Sequence, residues 1–98
     1  RGTVAHRFKG ICFEHLAACN GDTDRASLGL SGGGPESLRK VRQRMEEYYG
    51  NLMGIIQQYQ NPEEATAECR RRFKNLKGKY FTAVEVLVKK HFEKNRQI

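Results

Sequence analysis

Between Leu38 and Tyr59 the apolar residues fall at Leu38, Val41, Met45, Tyr48, Leu52, Ile55 and Tyr59, in alternating steps of three and four. That spacing sets all seven on one face of an α-helix and is incompatible with the period of two that a strand requires. The stripe runs into Asn61-Pro62-Glu63-Glu64, which has the form of a helix start. Asn61 can cap, Pro62 suits the first position, and the two carboxylates complement the positive helix end. Two helices joined by so short a turn predict a helical hairpin. The fold class expected is all-α: a compact bundle of four to five helices built on that hairpin. The stripe segment, Glu36 to Tyr59, is 24 residues long and contains Gly50 and Gly54. It is too short and too glycine-bearing for a coiled coil, so it reads as a scaffold.

The remaining segments are read around this hairpin as a single helical domain, residues 1–98. From Val4 to Cys19, Phe8, Ile11, Cys12, His15, Leu16 and Cys19 share one side of a helix, which Asn20-Gly21 is placed to stop. Residues 22–34 are expected to form a glycine-rich loop, because Gly29 and Gly32-Gly33-Gly34 carry a high entropic cost in regular structure. Leu28 and Leu30 could pin that loop to the core. Gly50 and Gly54 each weaken their helix by about 1 kcal/mol relative to alanine. They are either tolerated or mark the close approach of another helix. After Pro62 the apolar positions are Ala65, Cys69, Phe73, Leu76 and Tyr80, then Val84, Leu87, Val88, His91 and Phe92. One helix from Pro62 to Lys94 would be about 50 Å long, too long for so small a domain. The expected break is at Gly78 and Phe81-Thr82, with Thr82 as a possible cap.

The net charge is +7 and unevenly spread. Residues 1–69 hold eight basic and nine acidic side chains, and residues 70–98 hold ten basic and two acidic. One reading of this is a solubilising face. Such asymmetry favours an anionic partner, nucleic acid first and an acidic protein or membrane surface second. If the third helix folds back along the second, Arg39, Lys40, Arg42 and Arg44 lie beside Arg70, Arg71, Arg72, Lys74, Lys77 and Lys79. Cations at the end of the third helix suit its dipole, whereas those at the start of the second oppose theirs, which leans toward function. Groups of this kind contact phosphates, with little base specificity expected. Tyr80 and Phe81 either stack on bases or belong to the core.

Other chemistries find little footing. Cys12, His15 and Cys19 share a helix face, yet no CxxC is present, and small buried thiols explain the pattern better than zinc. Asn20-x-Asp22-x-Asp24 opens like a calcium loop but has Arg25 where glycine is required and Ser31 where glutamate is required. Gly29-Leu30-Ser31-Gly32-Gly33 matches G-x-S-x-G without the strand that motif needs. It also lacks the Gly-Lys-Ser/Thr ending of a phosphate loop. No catalytic residue, metal or cofactor is therefore expected. Three cysteines without framework spacing suggest reduced thiols inside the cell. No apolar run reaches membrane-spanning length. Arg1-Gly2-Thr3 does not open a signal peptide, and the chain reads as an excised domain.

In its ordered motifs the chain resembles the helical C-terminal domain of the chromodomain-helicase-DNA-binding chromatin remodellers. These are Phe8 with Ile11-Cys12, Leu30-Ser31 before a helix, Leu38 with Arg42-Gln43, Gly50, Tyr59-x-Asn61-Pro62-Glu63, then Phe73, Leu76 and the Leu87 segment with its basic tail. That resemblance implies a non-catalytic nuclear helical bundle binding double-stranded DNA or nucleosomes. Locally, Glu68-Cys69-Arg70-Arg71-Arg72-Phe73-Lys74-Asn75-Leu76-x3-Tyr80 is similar to the third helix of Myb/SANT-like trihelix domains, implying entry of that helix into a major groove. The function expected is binding of DNA or a nucleosome in a chromatin or transcription setting. The alternative is a protein-interaction module that docks an acidic partner.

Overall fold

The structure, a computed structural model, describes residues 3–32 and 34–96. Five helices follow in chain order: α1 (Thr3–Ala18), α2 (Thr23–Ser31), α3 (Pro35–Ile56), α4 (Pro62–Arg72) and α5 (Gly78–Arg96). No strand occurs among the described residues, and the all-α bundle read from the periodicity is what forms. Its extents are 40 × 35 × 19 Å. The short dimension is close to two helix diameters, so the helices lie in two layers.

α1 stops where Asn20-Gly21 stands. Both residues adopt the left-handed conformation, with φ of 56° and 83°, and the Gly21 N–H donates to the Leu16 carbonyl at 2.8 Å. The expected loop over residues 22–34 is corrected by α2. Asp22 caps that helix, its Oδ1 accepting from the N–H groups of Asp24 and Arg25 at 3.1 and 3.2 Å. Gly32 closes it at φ 56°. Nine residues are too few for an isolated helix, and α2 is held by packing: Ala26 and Ser27 are fully buried, and Leu30 lies against the core. The Ser27 hydroxyl satisfies itself on the Thr23 carbonyl at 2.6 Å. Leu30 does pin the segment, whereas Leu28 is 59% exposed.

The α3 stripe turns inward. Met45, Leu52 and Ile55 are buried, and Val41 and Tyr48 pack on the core; α3 ends at Ile56, so Tyr59, the last residue of the expected stripe, packs on the core from the turn instead. The principal partner of α3 is α2 rather than α4, while α1 packs chiefly on α5. The hairpin is thus one of several contacts rather than the frame. Gly50 and Gly54 are open, with no atom within 4 Å of an added Cβ, so no helix approaches there. The close approach is at Gly10 instead, where α1 meets Tyr80 of α5.

Asn61 caps α4 as expected, its Oδ1 accepting from the Glu64 N–H at 2.8 Å. The break before the last helix falls earlier than the sequence suggested. α4 ends at Arg72, and Gly78 opens α5 instead of interrupting a helix. Phe73 turns in against Phe13, their ring centroids 5.6 Å apart. Thr82 is not a cap, since it lies inside α5 and its hydroxyl donates to the Gly78 carbonyl at 3.1 Å. At the far end Lys90 donates to the Ala17 carbonyl at 3.3 Å and to Asn20 Oδ1, tying α5 to the negative end of α1.

Candidate nucleic-acid interface

The ten cations singled out in the sequence do not form one cluster. α4 has 11 residues and α3 has 22, so α4 spans only about 16 Å against about 33 Å. From the connecting turn, α4 can reach back no further than about the level of Met45. Arg39, Lys40 and Arg42 lie beyond it, and Arg44 stands at its limit. The four α3 cations also divide between two flanks. Lys40 and Arg44 are one helical turn apart on one side, and Arg39 and Arg42 are on the other. Arg42 faces α2, where its buried Nε lies 3.1 Å from Asp24 Oδ1 in an ion pair outside hydrogen-bond geometry. Arg44 pairs with Glu47 at 3.7 Å and lies against the Tyr48 phenol.

On the Arg44 flank a further cation stands between Tyr48 of α3 and Phe73 at the end of α4. It is Lys9, which sequence reasoning passed over. Its Nζ lies 5.4 Å from the Tyr48 ring centroid and 4.8 Å from that of Phe73. Lys9 is half-buried there. Burial pulls its pKa below the ordinary lysine value, and Glu47 partly offsets this. A single lysine within α1 carries no sequence signal for such a role.

Residues 70–79 divide into two chemically different sets. The arginines close α4 and each meets a carboxylate. Arg70 Nη2 donates to Glu85 Oε2 on α5 at 2.9 Å and its guanidinium lies 4.5 Å from the Phe81 ring centroid. Arg71 and Arg72 both bind Glu68, whose carboxyl is held below the usual range by hydrogen bonds from the two guanidinium groups. The lysines come next. Lys74 and Lys77 lie in the turn rather than on α4, and Lys79 lies in the first turn of α5. The segment 68–80 is therefore a helix end, a turn and a helix start, not one continuous helix. All three lysines are exposed, and none makes an ion pair among the described residues.

The lysine turn surrounds a helix N-terminus. The Lys77 carbonyl accepts from the N–H groups of Tyr80 and Phe81, both at 2.9 Å, which places Lys77 at the cap position of α5. The first amides of a helix have no intrahelical partner and carry partial positive charge. An acid is favoured there, yet α5 has none in its first turn and Lys79 is present. Tyr80 and Phe81 are buried core residues, 6% and 5% exposed, so neither offers a stacking face.

Buried thiols occupy the other chemistry-bearing positions. Cys12 and Cys69 are fully buried, and burial pushes both up to about 11. Among the described residues no three His, Cys, Asp or Glu side chains gather as metal ligands, and no helix is long and apolar enough to cross a membrane. The fold and surface define a five-helix bundle with a lysine-bearing turn between its last two helices. Comparison with protein-family models, curated proteins and solved structures finds no match to this chain. The functional reading therefore rests on the chain's own residues.

Proposed function

We propose that this domain is a non-catalytic nucleic-acid-binding module whose ligand is the phosphate backbone of duplex DNA, in a nuclear, chromatin-associated setting. The supporting observation is the turn between α4 and α5. There Lys74, Lys77 and Lys79 stand without carboxylate partners around a helix N-terminus that has no acid in its first turn. Stability alone favours the opposite charge at that position, and phosphate is suited to accept both the lysines and the free amides. Lys9, Lys40 and Arg44 extend the surface along α1 and α3. Arg39 and Arg42, on the α2 side, lie outside it. Because no aromatic ring is exposed at the turn, unpaired bases have no stacking platform, which favours duplex over single strands.

The test is a fluorescence-anisotropy titration of a short DNA duplex, with single-stranded DNA and duplex RNA alongside, at several salt concentrations. Contacts from about four or five cations give a log–log salt slope of about −4. Lys74→Glu, Lys77→Glu and Lys79→Glu combined abolish binding and leave the helical circular dichroism unchanged. Absence of binding to any nucleic acid at low salt refutes the proposal and leaves an acidic protein as the partner to examine.

A further inference from the structure

The two arginines at the end of α4 are already holding an anion, and it belongs to the chain itself. Glu68 Oε1 accepts from Arg71 Nε at 3.1 Å. Glu68 Oε2 accepts from Arg71 Nη2 at 2.5 Å and from Arg72 Nε at 2.8 Å. The Arg71 contact is a two-pronged fork, the same geometry a guanidinium uses on a phosphate. The exposures are lopsided: the Glu68 side chain is 14% exposed, against 69% for Arg71 and 53% for Arg72. The carboxylate is covered by the two guanidinium groups, which face solvent. The pairing leaves Arg71 Nη1 and both Nη atoms of Arg72 free of the carboxylate. The position of Glu68 is itself unusual. The other acids of α4, Glu63 and Glu64, stand in its first turn where the dipole favours them. Glu68 stands in the half of the helix where the dipole favours cations, directly below the basic run.

We infer that Glu68 is an internal competitor for phosphate that sets the affinity of this face by occupying Arg71 and Arg72. The inference rests on the nucleic-acid reading and adds a division of labour to it. In the free domain Lys74, Lys77 and Lys79 are the available contacts. Arg71 and Arg72 join only when a phosphate displaces or shares the Glu68 carboxylate. Glu68 is thus a positioning residue that acts through the two arginines. Removing its charge releases two guanidinium groups next to the lysine turn.

The experiment compares salt-dependent duplex binding of the wild type, Glu68→Gln and Glu63→Gln. Each variant loses one negative charge from α4, so net charge is matched. Glu63 makes no contact with these arginines among the described residues. Glu68→Gln is expected to bind several-fold more tightly at moderate salt, with a slope steeper by about 1 to 2. Glu63→Gln is expected to keep the wild-type slope. Adding Arg71→Gln and Arg72→Gln to Glu68→Gln should return the slope to the wild-type value or below. Glu68→Asp keeps the charge but withdraws it by one methylene, and should steepen the slope by less. That variant also gives the answer if Glu68→Gln loses its helical circular dichroism. Binding by the wild type with an unchanged slope in both Glu68 variants overturns the inference and leaves the nucleic-acid reading standing. An equal gain in Glu63→Gln also overturns it, because net charge alone then accounts for the effect. Absence of wild-type binding overturns both.

Discussion

Substituting alanine for glycine at three helical positions of this chain should give opposite signs. At Gly10 an added Cβ would lie 2.2 Å from Tyr80 Cγ, 2.4 Å from Cδ2 and 2.8 Å from Cβ. Ordinary carbon contacts lie at about 3.5–4.0 Å, so the helices must part by about 1 Å or more, or the ring must leave its site. The ring cannot simply swing away, because the Tyr80 Cβ itself is in the clash and is fixed to the α5 backbone. Overpacking of this kind costs about 1–3 kcal/mol, and a contact this short belongs at the upper end. The helix-propensity gain of about 1 kcal/mol from glycine to alanine opposes it. The expected net loss for Gly10→Ala is therefore about 2 kcal/mol, or about 10 °C in Tm for a domain of this size. At Gly50 and Gly54 the added Cβ meets nothing within 4 Å, so only the propensity gain remains and each substitution should stabilise by up to about 1 kcal/mol. Urea unfolding followed by far-ultraviolet circular dichroism measures all three. In a double-mutant cycle Tyr80→Ala should relieve part of the Gly10→Ala loss, with a coupling of about 1 kcal/mol or more. Wild-type stability or better in Gly10→Ala refutes the packing argument, as does an equal loss at Gly50.

Three further outcomes follow from burial and capping. Under native conditions at neutral pH a thiol-alkylating reagent should modify Cys19, which is half-exposed, while Cys12 and Cys69 react only after unfolding; mass spectrometry counts the adducts. The two buried thiols rise from an ordinary value of 9.0 to about 11 in the fold. Their raised folded pKa stabilises the domain fully below pH 9, and that contribution is lost as pH rises through about 11, on the order of 2 kcal/mol per thiol. Lys9 acts in the opposite sense, since its lowered pKa is a penalty at neutral pH that is relieved as pH approaches 10.5. The denaturant midpoint should still fall between pH 9 and 11, and should fall less steeply in Cys12→Ala or Cys69→Ala. Asp22→Ala removes the cap of α2 and should lower stability by about 1 kcal/mol, measurable in the same unfolding assay; no change would mean that α2 is held by packing alone.

The elements legible in the sequence are those whose signals are local and redundant. The stripe places six residues at helical spacing along α3, Asn61-Pro62 is both a cap and a first-turn residue, and Asn20-Gly21 tolerates the left-handed turn twice over. α2 was illegible because its glycines outweighed its start signal. Asp22 before Thr23-Asp24-Arg25 is a proper cap, but nine residues become a helix only on the surface of α3. The end of α4 was illegible for the converse reason. Arg70, Arg71 and Arg72 favour helix, and what stops it is Phe73 packing on Phe13, a residue sixty positions earlier. Nothing local separates Gly10 from Gly50, since only the partner helix decides which glycine is filled space.

Charge shows the same limit, with a consequence for specificity. Counting cations ranks Arg70 to Arg72 first, yet five of the six arginines in the sequence-derived site face carboxylates: Arg42, Arg44, Arg70, Arg71 and Arg72. Two of those carboxylates are readable from spacing, Glu47 three residues after Arg44 and Glu68 three and four before Arg71 and Arg72. The other two, Asp24 and Glu85, arrive from α2 and α5 and depend on the fold. The segregation has a physical cause. A guanidinium is a planar fork that matches a carboxylate, whereas an ammonium is a strongly hydrated point charge that stays in water. The cations left without a carboxylate partner at the turn are accordingly lysines. Bidentate arginine is the side chain that reads guanine edges, and lysine contacts to phosphate carry no sequence information. On the proposed reading, then, the domain should bind unrelated duplexes of equal length with equal affinity while Glu68 holds its arginines. Glu68→Gln should tighten binding to all of them alike, because the arginines it releases take phosphate. A strong sequence preference in the wild type would place base-reading groups outside the surface described above.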